Sequence, residues 1–145
     1  LVNKQVQQTT QEKQANTSST SQTLFNLKLL AYERIILFIE RIKPDSFIPR
    51  TLSPSLPYQE YQLLLINEIR KEFEYNLSQQ LYLSENAWEV TVNFKDNIIT
   101  LINSAATSCP PQATASDLAR KILEHYISSD LKGDQISKIV KAEIQ

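Results

Sequence analysis

Glycine occurs once in this 145-residue chain, at Gly133. Average usage of about 7% would give roughly ten, so nearly every backbone position must be content with negative φ. Two-residue β-hairpins and phosphate-cradling loops both need residues at positive φ, and the chain has almost nothing to build them from. A G-x-S-x-G nucleophile elbow is impossible. Helix is the architecture left open, and the apolar residues recur at helical spacing.

Leu24, Leu27, Ala31, Ile35, Phe38 and Ile42 recur at steps of three and four and predict a helix over 23–43, closed by Pro44. The stretch KPDSFIPRTLSPSLP, 43–57, holds four prolines and reads as a long, stiff connector without a regular backbone ladder. A second helix is expected from Pro57 to Leu83 on a stripe of Leu65, Ile66, Ile69, Phe73, Leu77 and Leu81. Ser84 is a candidate N-cap for a third, with Glu85 in its first turn. Trp88, Val90, Val92 and Phe94 alternate as a strand would. The helical period returns from Ile98 to Ala106, however, and a lone strand would leave its backbone groups unpaired, so continuous helix is expected.

Beyond the proline turn at 108–116, Ser116 and Asp117 start a fourth helix carried by Leu118, Ala119, Ile122, Leu123, Tyr126 and Ile127. After Gly133, Asp134 caps a short terminal helix with Ile136, Ile139, Val140 and Ile144 on its apolar side. The expected fold is all-α, an antiparallel helical bundle of four main helices plus a short C-terminal helix. Residues 1–22 are rich in Gln, Thr and Ser and read as a polar tether, flexible or partly helical; residues 23–145 form a single helical domain.

Lys plus Arg number 15 against 16 Asp plus Glu, with a pI near 5.9, so no electrostatic footprint for nucleic acid is expected. Cys109 is the sole cysteine, which excludes an intrachain disulfide and a four-cysteine zinc site. His125 is the sole histidine and belongs to no Glu-x-x-His pair. A Cys109/His125 nucleophile pair has no support in the spacing. No catalytic residue, metal ligand set or cofactor is expected, and the chain reads as non-enzymatic. The longest apolar run, IILFI at 35–39, is far short of the ~20 residues of a membrane span, so the chain as given is expected to be soluble. It starts at Leu1 and contains no Met, which suggests that its natural start lies upstream.

The segment NEIRKEFEYNLSQQLYLSENAW, 67–88, sets polar groups in an apolar stripe. At about 100° per residue, Glu72, Asn76 and Gln80 stack in the sector of Leu65, Ile69 and Phe73. On the first helix Arg34 and Arg41 flank the core, while Glu33 and Glu40 point away. Side-by-side packing of the two helices would let Arg34 or Arg41 meet Glu72, with Asn76 and Gln80 taking the remaining donors. Such a polar seam either fixes helix register and oligomer state or binds a small polar ligand. The first helix is also apolar around most of its circumference. Leu29, Ile36 and Ile39 lie outside its central stripe and form a candidate self-interface, so a homo-oligomer, or docking to another protein, is expected.

The phrases LKLLAYERIILFIERIKP (27–44), NEIRKEFEYNLSQQLYLSENAW (67–88) and ASDLARKILE (115–124) resemble an uncharacterised family of bacterial proteins. The likeness covers roughly residues 24–127. It implies an N-terminal membrane helix, a polar tether and a helical domain, with Leu1 just beyond a membrane span and the domain hanging from the membrane by residues 1–22. Lys4 and Lys13 are too few to fix the side by the positive-inside rule; the absence of a disulfide pair is compatible with the cytoplasmic side, which is the side expected. It implies no activity.

Overall fold

The computed structural model describes residues 2–131 and 133–144, with side chains from Thr17 to Leu131 and Gly133 to Glu143. It is all-α. In chain order the helices are α1 (Val2–Ile42), α2 (Pro44–Thr51), α3 (Tyr58–Tyr75), a 3₁₀ segment (Leu77–Tyr82), α4 (Glu85–Thr107), α5 (Ala115–Ser128) and α6 (Gln135–Ile144). α4 is the central element and packs against α1, α3, α5 and α6. The core gathers Tyr32, Ile35, Phe38, Ile39 and Ile42 of α1 with Tyr61, Leu65 and Ile69 of α3, Ile98 and Ile102 of α4, and Leu118 and Ile122 of α5.

Beyond α1, three elements differ from the sequence expectation. The connector contains α2. Lys43 is extended (φ −60°, ψ 132°), as a residue before proline prefers, and Pro44 starts the helix where no N–H is needed. Pro49 forfeits only one bond of a short helix, and burying Phe47 and Ile48 outweighs that loss.

The second helix stops at Tyr75 rather than Leu83. Asn76 Nδ2 donates to the Glu72 carbonyl at 2.8 Å, the acceptor its own backbone N–H would use in an α-helix, and that N–H turns to the Phe73 carbonyl at 3.0 Å. The chain tightens into 3₁₀ and Leu81 ends up 81% exposed. The fourth helix starts at Ala115, two residues before Asp117. Thr114 is its cap and forms a reciprocal capping box with Asp117.

Helix wins over strand at 88–94. Ser84 Oγ accepts from the Ala87 N–H at 3.1 Å and starts α4, and Thr91, fully buried, satisfies its hydroxyl on the Ala87 carbonyl at 2.8 Å. Leu56 and Ala113 bridge the α2–α3 and α4–α5 connections through Ala115 N–H to Leu56 O (2.7 Å) and Tyr58 N–H to Ala113 O (3.1 Å). Gly133 takes φ 68° between α5 and α6; a Cβ there would lie 2.7 Å from Lys43 Cε and 3.0 Å from Ile39 Cγ2. α6 docks through Ile136 and through Ser84 Oγ, which donates to the Glu143 carboxylate.

α1 is continuous from Val2 to Ile42, so helix runs through the polar stretch read as a tether. Every side chain from Thr17 to Asn26 is exposed, so the helix stands clear of the domain there. Leu1 and the side chain of Ile144 lie outside the described residues.

Candidate functional site

The C-terminal half of α1 lies beside the end of α3, and the polar residues singled out in both helices meet only in part. Arg41 donates from Nη2 (2.8 Å) and Nε (3.2 Å) to Glu72 Oε1. The hydrogen bond with Glu72, and then its charge, raise the Arg41 guanidinium pKa above its ordinary value. Arg50 completes the cluster. Its Nη1 reaches the same oxygen at 3.4 Å and its Nη2 donates to the Arg41 carbonyl at 2.8 Å. Arg50 sits in the segment expected to be irregular connector, which is why spacing arguments missed it; Pro44 followed by an apolar pair at Phe47 and Ile48 was the available signal for helix.

Asn76 contributes by breaking α3 rather than by reaching an arginine. Gln80 departs from the expected seam: the 3₁₀ segment turns it out to solvent, beside Trp88 and Glu89. Arg34 is exposed and has no ion pair among the described residues.

Beside the cluster runs a groove of about 500 Å³ lined by Leu37, Phe38 and Tyr75, with Arg34, Lys71 and Glu68 among its charged residues. Phe38, one of its lining residues, belongs to an aromatic cluster: it meets Phe73 at 6.0 Å between ring centroids, Phe73 stacks on Trp88 at 5.4 Å, and Lys95 Nζ sits 4.1 Å from the Phe73 centroid. Glu72 Oε2 is buried and has no hydrogen-bond partner.

The candidate self-interface is corrected. Ile39 is only 1% exposed where α1 packs against α4 and α6, and belongs to the core. Ile36 packs partly buried against the same core, and Leu29 is half-buried. The apolar residues α1 leaves open are Leu30 and Leu37, 53% and 59% exposed and seven apart, with Leu24 and Phe25 further up the helix.

His125 is exposed on α5, whereas Cys109 is buried with its thiol on the Ala105 carbonyl. Among the described residues no group of three or more His, Cys, Asp or Glu is placed to hold a metal ion, and no helix is long and apolar enough to cross a membrane.

A family model described as "Family of unknown function (DUF7935)" matches residues 1–145. The chain belongs to that family. No curated protein and no solved structure matches it.

Proposed function

We propose that the chain is a non-enzymatic, membrane-tethered interaction module that self-associates through the exposed face of α1. The observation that carries this reading is the pair Leu30 and Leu37, each more than half exposed on the stretch of α1 whose opposite face is buried in the domain. Two leucines at heptad spacing are what one helix offers another, and Tyr75 (81% exposed) and the groove extend that apolar surface on to α3. The Arg41–Glu72–Arg50 cluster then serves to hold α1, α2 and α3 in register beneath the face. A membrane tether is the part of this reading drawn from the resemblance described above, and the exposed helical stretch before Leu27 would serve as its spacer; the lack of a second cysteine is compatible with the cytoplasmic side.

Light-scattering mass across a dilution series of residues 1–145 tests the reading. The chain should sediment and scatter as a dimer or larger species, and Leu30→Glu with Leu37→Glu should convert it to monomer at unchanged helicity. A wild-type chain that is monomeric at every concentration would refute it.

A second reading follows from the groove, whose volume falls in the range of small-ligand sites and which carries Arg34 and Lys71, both without ion pairs among the described residues. On this reading a small polar ligand binds there and raises Tm, and Arg34→Ala abolishes the shift. A broad metabolite screen without any shift would count against it.

A further inference from the structure

The exposed face of α1 is polarised across its width. At about 100° per residue, Leu30 and Leu37 run down the middle, Arg34 and Arg41 lie along one edge, and Glu33 and Glu40 lie along the other. All four charged side chains are exposed. Arg41 is engaged by Glu72, and Glu40 by Lys43. Glu33 and Arg34 have no ion pair among the described residues, although each stands beside the leucine ridge.

Two copies of such a face have two ways to meet. When the helices are parallel, rotation about an axis along them sets the acidic edge of one against the basic edge of the other, as in the edge pairing of parallel coiled coils. When they are antiparallel, like edges meet: arginine faces arginine and glutamate faces glutamate, which is unfavourable. We infer that a second copy of this chain docks on this face with its α1 parallel, Leu30 and Leu37 against their counterparts, and Arg34 of each chain paired with Glu33 of the other. The inference rests on the self-association proposed above and deepens it.

The surrounding structure accommodates the arrangement. From Thr17 to Asn26 the helix is exposed on all sides, so a parallel partner helix meets no obstruction beyond the domain. Thr23 continues the ridge one heptad before Leu30.

The test uses the full chain with Cys109→Ala, so that introduced cysteines are the only thiols. Leu30→Cys alone should form a disulfide-linked dimer on mild oxidation, because Leu30 faces its own counterpart. Arg34→Glu should weaken association about tenfold, equal to about 1.4 kcal/mol, and Glu33→Arg with Arg34→Glu should restore it. A merely structural role for Arg34 would not be rescued by the swap. If instead linkage appears only when Leu30→Cys and Leu37→Cys chains are mixed, docking is antiparallel and the inference is overturned. If Leu37→Glu abolishes a dimer that shows neither Leu30→Cys linkage nor charge-swap rescue, self-association stands and parallel docking fails. A wild-type monomer at all concentrations sinks both.

Discussion

Replacing Glu72 by Gln keeps the side chain's shape and removes the charge that Arg41 and Arg50 share. Glu72 Oε1 receives Arg41 at 2.8 and 3.2 Å and Arg50 at 3.4 Å. The carboxylate side chain is only 18% exposed, but the cations are 44% and 35% exposed, so water screens that end of each pair. An exposed pair contributes about 0.2–1 kcal/mol. The buried carboxylate takes the Arg41 pair toward the upper end, and the longer contact leaves Arg50 near the lower, a sum of about 1–1.5 kcal/mol. The unpartnered buried Oε2 subtracts from this. Glu72→Gln should therefore cost about 1 kcal/mol, a fall in Tm of about 3–4 °C for a chain of this size. Urea melts of the 72/41 and 72/50 double-mutant cycles should give a larger coupling for Arg41 than for Arg50. Both couplings should shrink in about 1 M salt, where the Debye length is about 3 Å. Zero coupling in both cycles, or a Glu72→Gln chain more stable than wild type, would refute the register role.

Gly133→Ala should destabilise by about 1–3 kcal/mol in a thermal melt, since φ 68° strains a residue with Cβ and that atom would press on Ile39. Tyr32→Phe should be neutral or stabilising by up to about 1 kcal/mol, because the Tyr32 hydroxyl is buried without a partner; a clear loss of stability would show that the hydroxyl is satisfied in solution. The Asp117 carboxyl is held below its ordinary pKa, first by the Thr114 backbone N–H at 3.0 Å. A depressed folded pKa means its contribution is complete above the unfolded value of about 3.9 and is lost as pH falls through the lower folded value. Asp117→Ala should flatten that acid limb of the stability profile.

The helix boundaries show where sequence reasoning succeeds. Ser84 and the proline turn at 108–116 mark ends of α4 and the start of α5 through local chemistry, and both stand in the structure. Asn76 shows where it fails. Its side chain and backbone compete for one carbonyl, a contest that spacing does not register, and Gln80 is turned out of the seam as a result. Arg50 was hidden for the opposite reason: α2 forms because the domain buries Phe47 and Ile48, not because its own residues favour helix.

Near-absence of glycine, apolar spacing and caps set the main helices by local physics, α2 excepted, and placed Arg41 and Glu72 on faces able to meet. Which side of α1 stays open was a tertiary decision. A helix apolar around most of its circumference has no inside of its own. Periodicity gives each residue an angle about the axis, but only the positions of α3, α4 and α6 turn that angle into core or surface. Those neighbours cover Ile39 and leave Leu30 and Leu37 in solvent.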